Sequence, residues 1–246
     1  MIGSEELRAR VAELRWFHTI DLGHGIVTPG HDESPEKLRK VGLPESLHGK
    51  TVLDIGAWDG FFSFEAERRG AARVVAVDPA CWRPPEWGSR GWGTKAGFDL
   101  AHRALESSVE SVDIDLDAIS PSTLGQFDVV LFLGVFYHLP DPWPALERAA
   151  NVTRGLLIVE THADLLGLRR PAMAYYPGSE VGNDESTYWG PNGDLLTYRL
   201  RELDFARVEV FHGDSLPFRV ARSLRHRARG SRFRVSQGRL TIHASR

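Results

Sequence analysis

Asp54, Gly56, Asp59 and Gly60 close an apolar run in the segment Thr-Val-Leu-Asp-Ile-Gly-Ala-Trp-Asp-Gly, residues 51–60. These residue types at this spacing suit a small cationic nucleotide. A buried strand that feeds a helix through a glycine turn presents backbone N–H groups and a helix N-terminus to a ligand. Glycine lets that ligand approach the main chain closely. The spacing is Asp-x-Gly-x-x-x-Gly, not the Gly-x-Gly-x-x-Gly of dinucleotide enzymes. Carboxylates inside such a turn repel a pyrophosphate and attract an ammonium, which points to S-adenosylmethionine rather than NAD. Ala57 and Trp58 complete the expected cofactor turn. A second apolar run, residues 72–77, ends at Asp78-Pro79. An acid at the tip of the second strand accepts hydrogen bonds from ribose hydroxyls. The third expected strand, residues 109–116, ends among Asp113, Asp115 and Asp117. Asp115 is assigned to the adenine amino group and the Leu116 N–H to a ring nitrogen.

Methyl transfer from a sulfonium is an in-line displacement. The enzyme must align the reactants and, for a hydroxyl nucleophile, remove a proton. The buried run 127–133 leads through Gly134, a further cofactor contact, to Tyr137 and His138. These two are the candidate catalytic residues: His138 as a base whose ordinary pKa lies near neutrality, Tyr137 lining the cofactor or methyl pocket. His18 and His162 are rival bases and candidate acceptor contacts. The histidines are scattered without ligand spacing, so no metal site is expected. The longest insertion, residues 163–191, holds Tyr175, Tyr176, Tyr188 and Trp189, which are assigned to the acceptor pocket. Long ordered loops beyond the C-terminal ends of strands are usually functional.

These residues must be positioned by strands alternating with helices. Helices are expected at 61–69, 94–105, 144–152 and 192–203, and further strands at 155–160, 208–211 and 239–243. The rhythm predicts an α/β fold with a doubly wound, mostly parallel seven-stranded sheet. Before it, residues 1–48 read as an N-terminal helical arm, with a helix at 4–14 capped by Ser4, an aromatic and glycine-rich stretch, and a short helix at 36–41. The domain proper is expected over 49–246, with 163–191 as a lid. Trp82, Trp87 and Trp92 lie in one Pro/Gly-rich loop and should pack on a ligand or a neighbouring element.

The 246 residues suffice for one α/β core. No run of about 18 apolar residues exists to span a membrane, and the N-terminal residues lack a signal-peptide plan, so a cytoplasmic protein is expected. Cys81 is the single cysteine, which excludes an internal disulfide and a multi-cysteine metal site. The net charge of −3 is uneven: residues 219–246 carry nine arginines and no acid, leaving 21 basic against 33 acidic residues elsewhere. Such a segment can be an RNA-binding face, with Phe218 and Phe233 to stack on bases, or a basic surface paired with the acidic remainder.

With these segments in place, the chain resembles the seven-stranded S-adenosylmethionine-dependent methyltransferases, with their Rossmann-like fold. Within them it resembles the branch containing the tRNA wobble-uridine carboxymethyltransferases. The resemblance is carried by residues 52–60, by Val-Ala-Val-Asp-Pro (75–79), and by Phe-Asp-Val-Val-Leu-Phe-Leu-Gly-Val-Phe-Tyr-His-Leu-Pro-Asp-Pro (127–142). Val-Glu-Thr (159–161), Pro-Gly (177–178) and Ser-Thr-Tyr-Trp-Gly-Pro-Asn (186–192) add to it. Two departures stand out. Where the tRNA branch has a lysine that reads the carboxylate of carboxy-S-adenosylmethionine, the stretch Trp16-Phe17-His18-Thr19 offers His18. Leu139-Pro140-Asp141 replaces the usual paired basic residues. The resemblance therefore implies plain S-adenosylmethionine as cofactor and O-methylation of a small hydroxylated acceptor, a sugar or a secondary metabolite. A tRNA methyl or carboxymethyl transferase using the arginine-rich segment is the second reading, and a non-enzymatic S-adenosylmethionine-binding module the third.

Overall fold

The computed structural model describes residues 3–83, 94–228 and 234–246; Trp87, Trp92 and Phe233 lie outside them. The strands are β1 (Thr51–Ile55), β2 (Arg73–Val77), β3 (Glu110–Ser111), β4 (Phe127–Leu133), β5 (Thr153–Ala163), β6 (Met173–Tyr175), β7 (Trp189–Pro191), β8 (Arg207–Gly213) and β9 (Gly238–Ser245). The helices are α1 (Ser4–Glu13), α2 (Ser34–Val41), α3 (Phe61–Arg68), α4 (Pro79–Trp82), α5 (Ala96–Ala104), α6 (Trp143–Asn151), α7 (Gly193–Glu202) and α8 (Leu216–Ala228). Seven strands form one sheet in the order β3-β2-β1-β4-β5-β9-β8, and β6 pairs with β7. Strand β2 is parallel to both β1 and β3, while β9 is antiparallel to β5 and β8. The α/β architecture expected from the rhythm of apolar runs is thus the one adopted. Among the described residues no helix is long and apolar enough to cross a membrane.

The chain divides into two units, Met1–Leu131 with Asn151–Arg154, and Phe132–Ala150 with Gly155–Arg246. In the first, Val52, Leu53, Ile55, Val74, Val75 and Val77 are buried, as strands covered on both faces require. Helix α2 begins with Pro35 in its first turn and stops at Gly42, whose φ of 66° few other residues adopt. The stretch before it is held by its own polar groups. Thr28 donates its hydroxyl to the His18 carbonyl (2.6 Å) and Thr19 to that of Asp32 (2.8 Å). In the second unit, β5 and β9 pair over eight positions, and the Asn192 side chain caps α7 by accepting the Leu195 N–H at 3.0 Å.

Two local expectations fail. Ser4 is the first residue of α1 rather than its cap; Gly3 stands at the cap position and no side chain bonds there. The third strand shrinks from 109–116 to Glu110–Ser111, followed by a 3-10 turn over Leu116–Ala118. Asp is disfavoured in strands, and Asp113 and Asp115 turn to solvent to pair with Arg83.

Candidate functional site

In the first unit the site is built around the turn after β1. Gly56 has φ 83°, and its N–H donates to the Val77 carbonyl at 2.8 Å, tying the turn to β2. Gly60, with φ 89°, leaves no room for a side chain: a Cβ would lie 2.7 Å from the rings of Phe64 and Phe98. Between them, the Trp58 N–H donates to Asp78 Oδ2 (2.9 Å), and the Cys81 N–H to Asp78 Oδ1 (2.8 Å). Asp78 therefore caps α4, which starts at Pro79, and holds the turns after β1 and β2 together. Ala57 is buried within the turn.

Three carboxylates are buried here. Asp54 is 2% exposed and accepts the Ser63 hydroxyl at 2.6 Å; burial pushes its pKa up to about 7, with the charge of Asp78 adding to the effect. Burial also pushes Asp59 up to about 6 and raises Asp78. Asp59 Oδ2 accepts the N–H groups of Phe17 (2.7 Å) and His18 (3.0 Å), so it clasps the N-terminal stretch to the turn. Phe17 stacks on Trp58 with ring centres 4.3 Å apart, and Trp82 donates its indole N–H to the Trp58 carbonyl at 2.8 Å. His18 is buried, its pKa held well below the usual value by that burial, and its Nδ1 has no hydrogen-bond partner among the described residues. Buried carboxylates without a cation resist ionisation. A ligand ammonium relieves that cost, so the donor set fits S-adenosylmethionine. Asp115 lies outside this cluster: it is exposed and bound to Arg83, with Leu116 half-buried beside it.

In the second unit, Gly134 turns the chain out of β4 with φ 74°, its N–H donating to the Glu160 carbonyl at 2.9 Å. The 3-10 turn Phe136–His138 follows. His138 Nδ1 lies 3.0 Å from the Ser186 carbonyl oxygen and 3.0 Å from Ser186 Oγ, and that hydroxyl donates to Asp184 at 2.6 Å. A carbonyl only accepts, so Nδ1 carries the hydrogen and Nε2 the lone pair. Burial pushes the His138 pKa down to about 4, so the ring is neutral at pH 7.

A second polar cluster joins His162 to the insertion. Tyr176 donates to Asp164 Oδ2 (2.6 Å) and lies 3.2 Å from both His162 Nε2 and Gln237 Nε2. Because the tyrosine proton goes to Asp164, His162 donates through Nε2. Gly190 makes this approach possible, since a Cβ there would lie 2.6 Å from the Tyr176 hydroxyl. Arg239 forms a two-pronged pair with buried Glu160, both bonds 2.6 Å, and lies 4.9 Å from the centre of the Tyr137 ring. Tyr188 donates its N–H to the Tyr137 carbonyl (2.8 Å), while Tyr175, an exposed residue, has its ring 4.9 Å from that of Trp189.

Sequence reasoning did not single out Phe17, Lys37, Ser63, Asp164, Ser186, Gln237 or Arg239 as site residues. For Ser186 a signal existed: Asp184 accepts the Ser186 N–H at 2.9 Å, an Asx turn written in Asn-Asp-Glu-Ser. Phe17, Lys37, Gln237 and Arg239 are brought in by remote segments, whereas Ser63 follows Asp54 by nine residues and Asp164 follows His162 by two. The C-terminal arginines are in part internal scaffolding. Arg219 and Arg222 bond the carbonyls of Val235 and Gln237, Arg239 bonds Glu160, and Arg246 the Ala150 carbonyl. Among the described residues no group of three metal-ligating side chains converges.

The chain matches the family described as a methyltransferase domain over residues 32–237. It is 26% identical over 175 residues to a tRNA U34 carboxymethyltransferase of Desulfotalea psychrophila, covering 69% of this chain and 49% of that protein. It is 30% identical over 135 residues to a ubiquinone biosynthesis O-methyltransferase of Marinobacter nauticus, covering 54% of this chain and 52% of that one. The chain thus spans about half the length of these curated relatives. Among solved structures, the N-terminal domain of EvdMO1, determined in the presence of SAH and D-fucose, aligns with all of this chain and 97% of that one, at a TM-score of 0.65 and 20% identity. That likeness is one of fold.

Proposed function

We propose that this chain, which belongs to the S-adenosylmethionine-dependent methyltransferases, methylates a hydroxyl of a small polar acceptor such as a sugar or a secondary metabolite. The observation that carries the reading is His138, neutral and fixed as the Nδ1–H tautomer by Ser186, with Asp184 behind it. When bound, S-adenosylmethionine supplies the methyl group, its carbon–sulfur bond breaking as the bond to the acceptor oxygen forms. His138 Nε2 takes the hydroxyl proton. The oxygen becomes strongly acidic as it is alkylated, so a base with a pKa of about 4 suffices. His162 and the tyrosines of the insertion, Tyr175, Tyr176 and Tyr188, with Trp189, hold the acceptor. Asp54, Asp59, Asp78 and the turn residues Gly56, Ala57, Trp58, Gly60 and Pro79 serve the cofactor, with Asp115 and Leu116 at the adenine. A relative named as a ubiquinone biosynthesis O-methyltransferase and a neighbour solved with D-fucose support a small acceptor.

The test is a methyl-acceptor screen monitored by S-adenosylhomocysteine release, followed by His138→Ala and His138→Asn with the acceptor found. Both should lose about 10²–10⁴-fold in rate and keep cofactor affinity. The wild-type rate should be insensitive to His138 above pH 5 and fall as pH drops through about 4, where the imidazole protonates. Near-wild-type rates in both variants would make His138 a turn residue and move the test to His162 and His18. The second reading, transfer to tRNA, draws on the relatives named for that reaction. It requires RNA binding that weakens steeply with salt, which the first reading does not.

A further inference from the structure

Helix α8 is polar on its inner face and apolar on its outer one. Its sequence, Leu-Pro-Phe-Arg-Val-Ala-Arg-Ser-Leu-Arg-His-Arg-Ala, sets Pro217, Ala221, Leu224 and Ala228 on one stripe at helical spacing. All four are exposed, with exposed Leu216 and Phe218 beside them. Leu216 and Leu224 are each 56% exposed, and Phe218 is 44% exposed. The face turned to the protein holds polar groups. Ser223 is buried there. Arg219 donates to the Val235 carbonyl at 2.7 Å, and Arg222 to Asp214 Oδ2 at 2.8 Å and to the Gln237 carbonyl. Arg219 Nε and Ser223 Oγ are buried with no hydrogen-bond partner among the described residues. A surface helix ordinarily buries its apolar stripe and leaves its charges in water. Unpaired polar atoms inside and leucines in water both cost stability, and a partner that covers the stripe offsets that cost.

The stripe is rimmed by one sign of charge. Arg225 follows Leu224 and Arg227 precedes Ala228, so these two exposed arginines flank the stripe on opposite sides. The helix contains no acid, and Asp214, which reaches it, is engaged by Arg222. We propose that α8 docks on the surface of an anionic phospholipid bilayer, its apolar stripe among the upper acyl chains and Arg225 and Arg227 at the phosphates. The 13 residues of α8 make a helix of about 20 Å, and a span needs about 20 residues. The helix therefore lies in the membrane plane, where apolar burial and attraction to anionic lipid act together. A second copy of this chain would bring the same arginines face to face with no acid between them, so like-charge repulsion opposes self-docking. RNA is held on polar surfaces with rings on which bases stack. The outer face of α8 offers Phe218 as its ring, among aliphatic side chains.

The test is flotation of the full chain with vesicles of phosphatidylcholine alone and of an equimolar mixture with phosphatidylglycerol. Wild type should float with the mixed vesicles and bind the neutral ones about 25-fold more weakly, because each of two arginines at an anionic surface contributes about fivefold. Leu216→Ser and Leu224→Ser should each weaken binding to the mixed vesicles by about tenfold, the scale for burying one leucine side chain. Their melting temperature and S-adenosylhomocysteine affinity should match wild type, since both leucines face water in the free protein. Arg225→Gln combined with Arg227→Gln should erase the preference for mixed vesicles. Three results would overturn the proposal: no flotation with mixed vesicles, equal binding to both vesicle types, or binding that the arginine variant loses and the leucine variants keep. A wild-type dimer in analytical sedimentation that Leu224→Ser splits would assign the stripe to a second copy instead. Binding of tRNA that Leu224→Ser abolishes would assign it to RNA, and either outcome removes the membrane.

Discussion

Asp54→Asn should make the ligand-free protein more stable and its cofactor binding worse, and both effects should depend on pH. Asp54 is 2% exposed, and its pKa rises from 3.8 to about 7, first through burial. A folded-state pKa above the unfolded value means that the folded protein prefers the protonated acid. That preference contributes stability below about pH 3.8 and is lost as pH rises through about 7. Each unit is worth about 1.36 kcal/mol, so ionised Asp54 costs the empty protein up to about 4 kcal/mol at pH 8. Asn is nearly isosteric, carries no charge and can still accept the Ser63 hydroxyl. Allowing for the stronger bond that a charged acceptor makes, a gain of about 2–3 kcal/mol is expected at pH 8, or about 5–10 °C in Tm. Near pH 4 the gain should vanish. Cofactor binding moves the other way, because a ligand ammonium selects the ionised acid. Wild-type affinity should fall about tenfold per pH unit below 7, more steeply below about 6 where Asp59 also takes up a proton. In Asp54→Asn the affinity at pH 8 should be lower and the slope between pH 7 and 6 flat. Calorimetric melting and titration with S-adenosylhomocysteine from pH 5 to 8 read both effects. An Asp54→Asn protein that melts at or below wild type at pH 8, or a wild-type affinity independent of pH, would refute the claim that this carboxylate is held at a cost for a cationic ligand.

Asp78→Asn should weaken S-adenosylhomocysteine by about 10–100-fold in calorimetry, the scale for losing a charged acceptor. Asp78→Ala should in addition melt earlier by about 1 kcal/mol, because the side chain also caps α4; unchanged affinity in both would remove Asp78 from the ribose. Arg239→Met should cost about 2–3 kcal/mol in chemical denaturation by removing the two-pronged partner of buried Glu160. That is less than for a fully buried pair, since the arginine side chain is 34% exposed. Adding Glu160→Gln should recover part of the loss, and an unaltered denaturation midpoint in Arg239→Met would show that solvent already screens Glu160.

What the sequence determined by itself is the part of the molecule set by neighbours along the chain. Apolar runs of strand length, the glycines at 56 and 60 and the order of acids at successive strand ends all follow from local φ/ψ and burial preferences. The turn and the mostly parallel sheet were legible on that basis, and the family through the resemblance that these segments carry. The same logic failed at residues 109–116, where acids outvoted a run that alternation alone would make a strand. Tertiary structure alone decided what the acids do. Asp59 reads as a ligand group, yet it accepts main-chain N–H groups 41 and 42 residues away. Glu160 meets Arg239 across 79 residues, and His138 takes its tautomer from Ser186, 48 residues on. Protonation state and hydrogen-bond direction depend on which remote segment excludes water and which carbonyl or cation it brings, and neither is encoded in the spacing of residues along the chain.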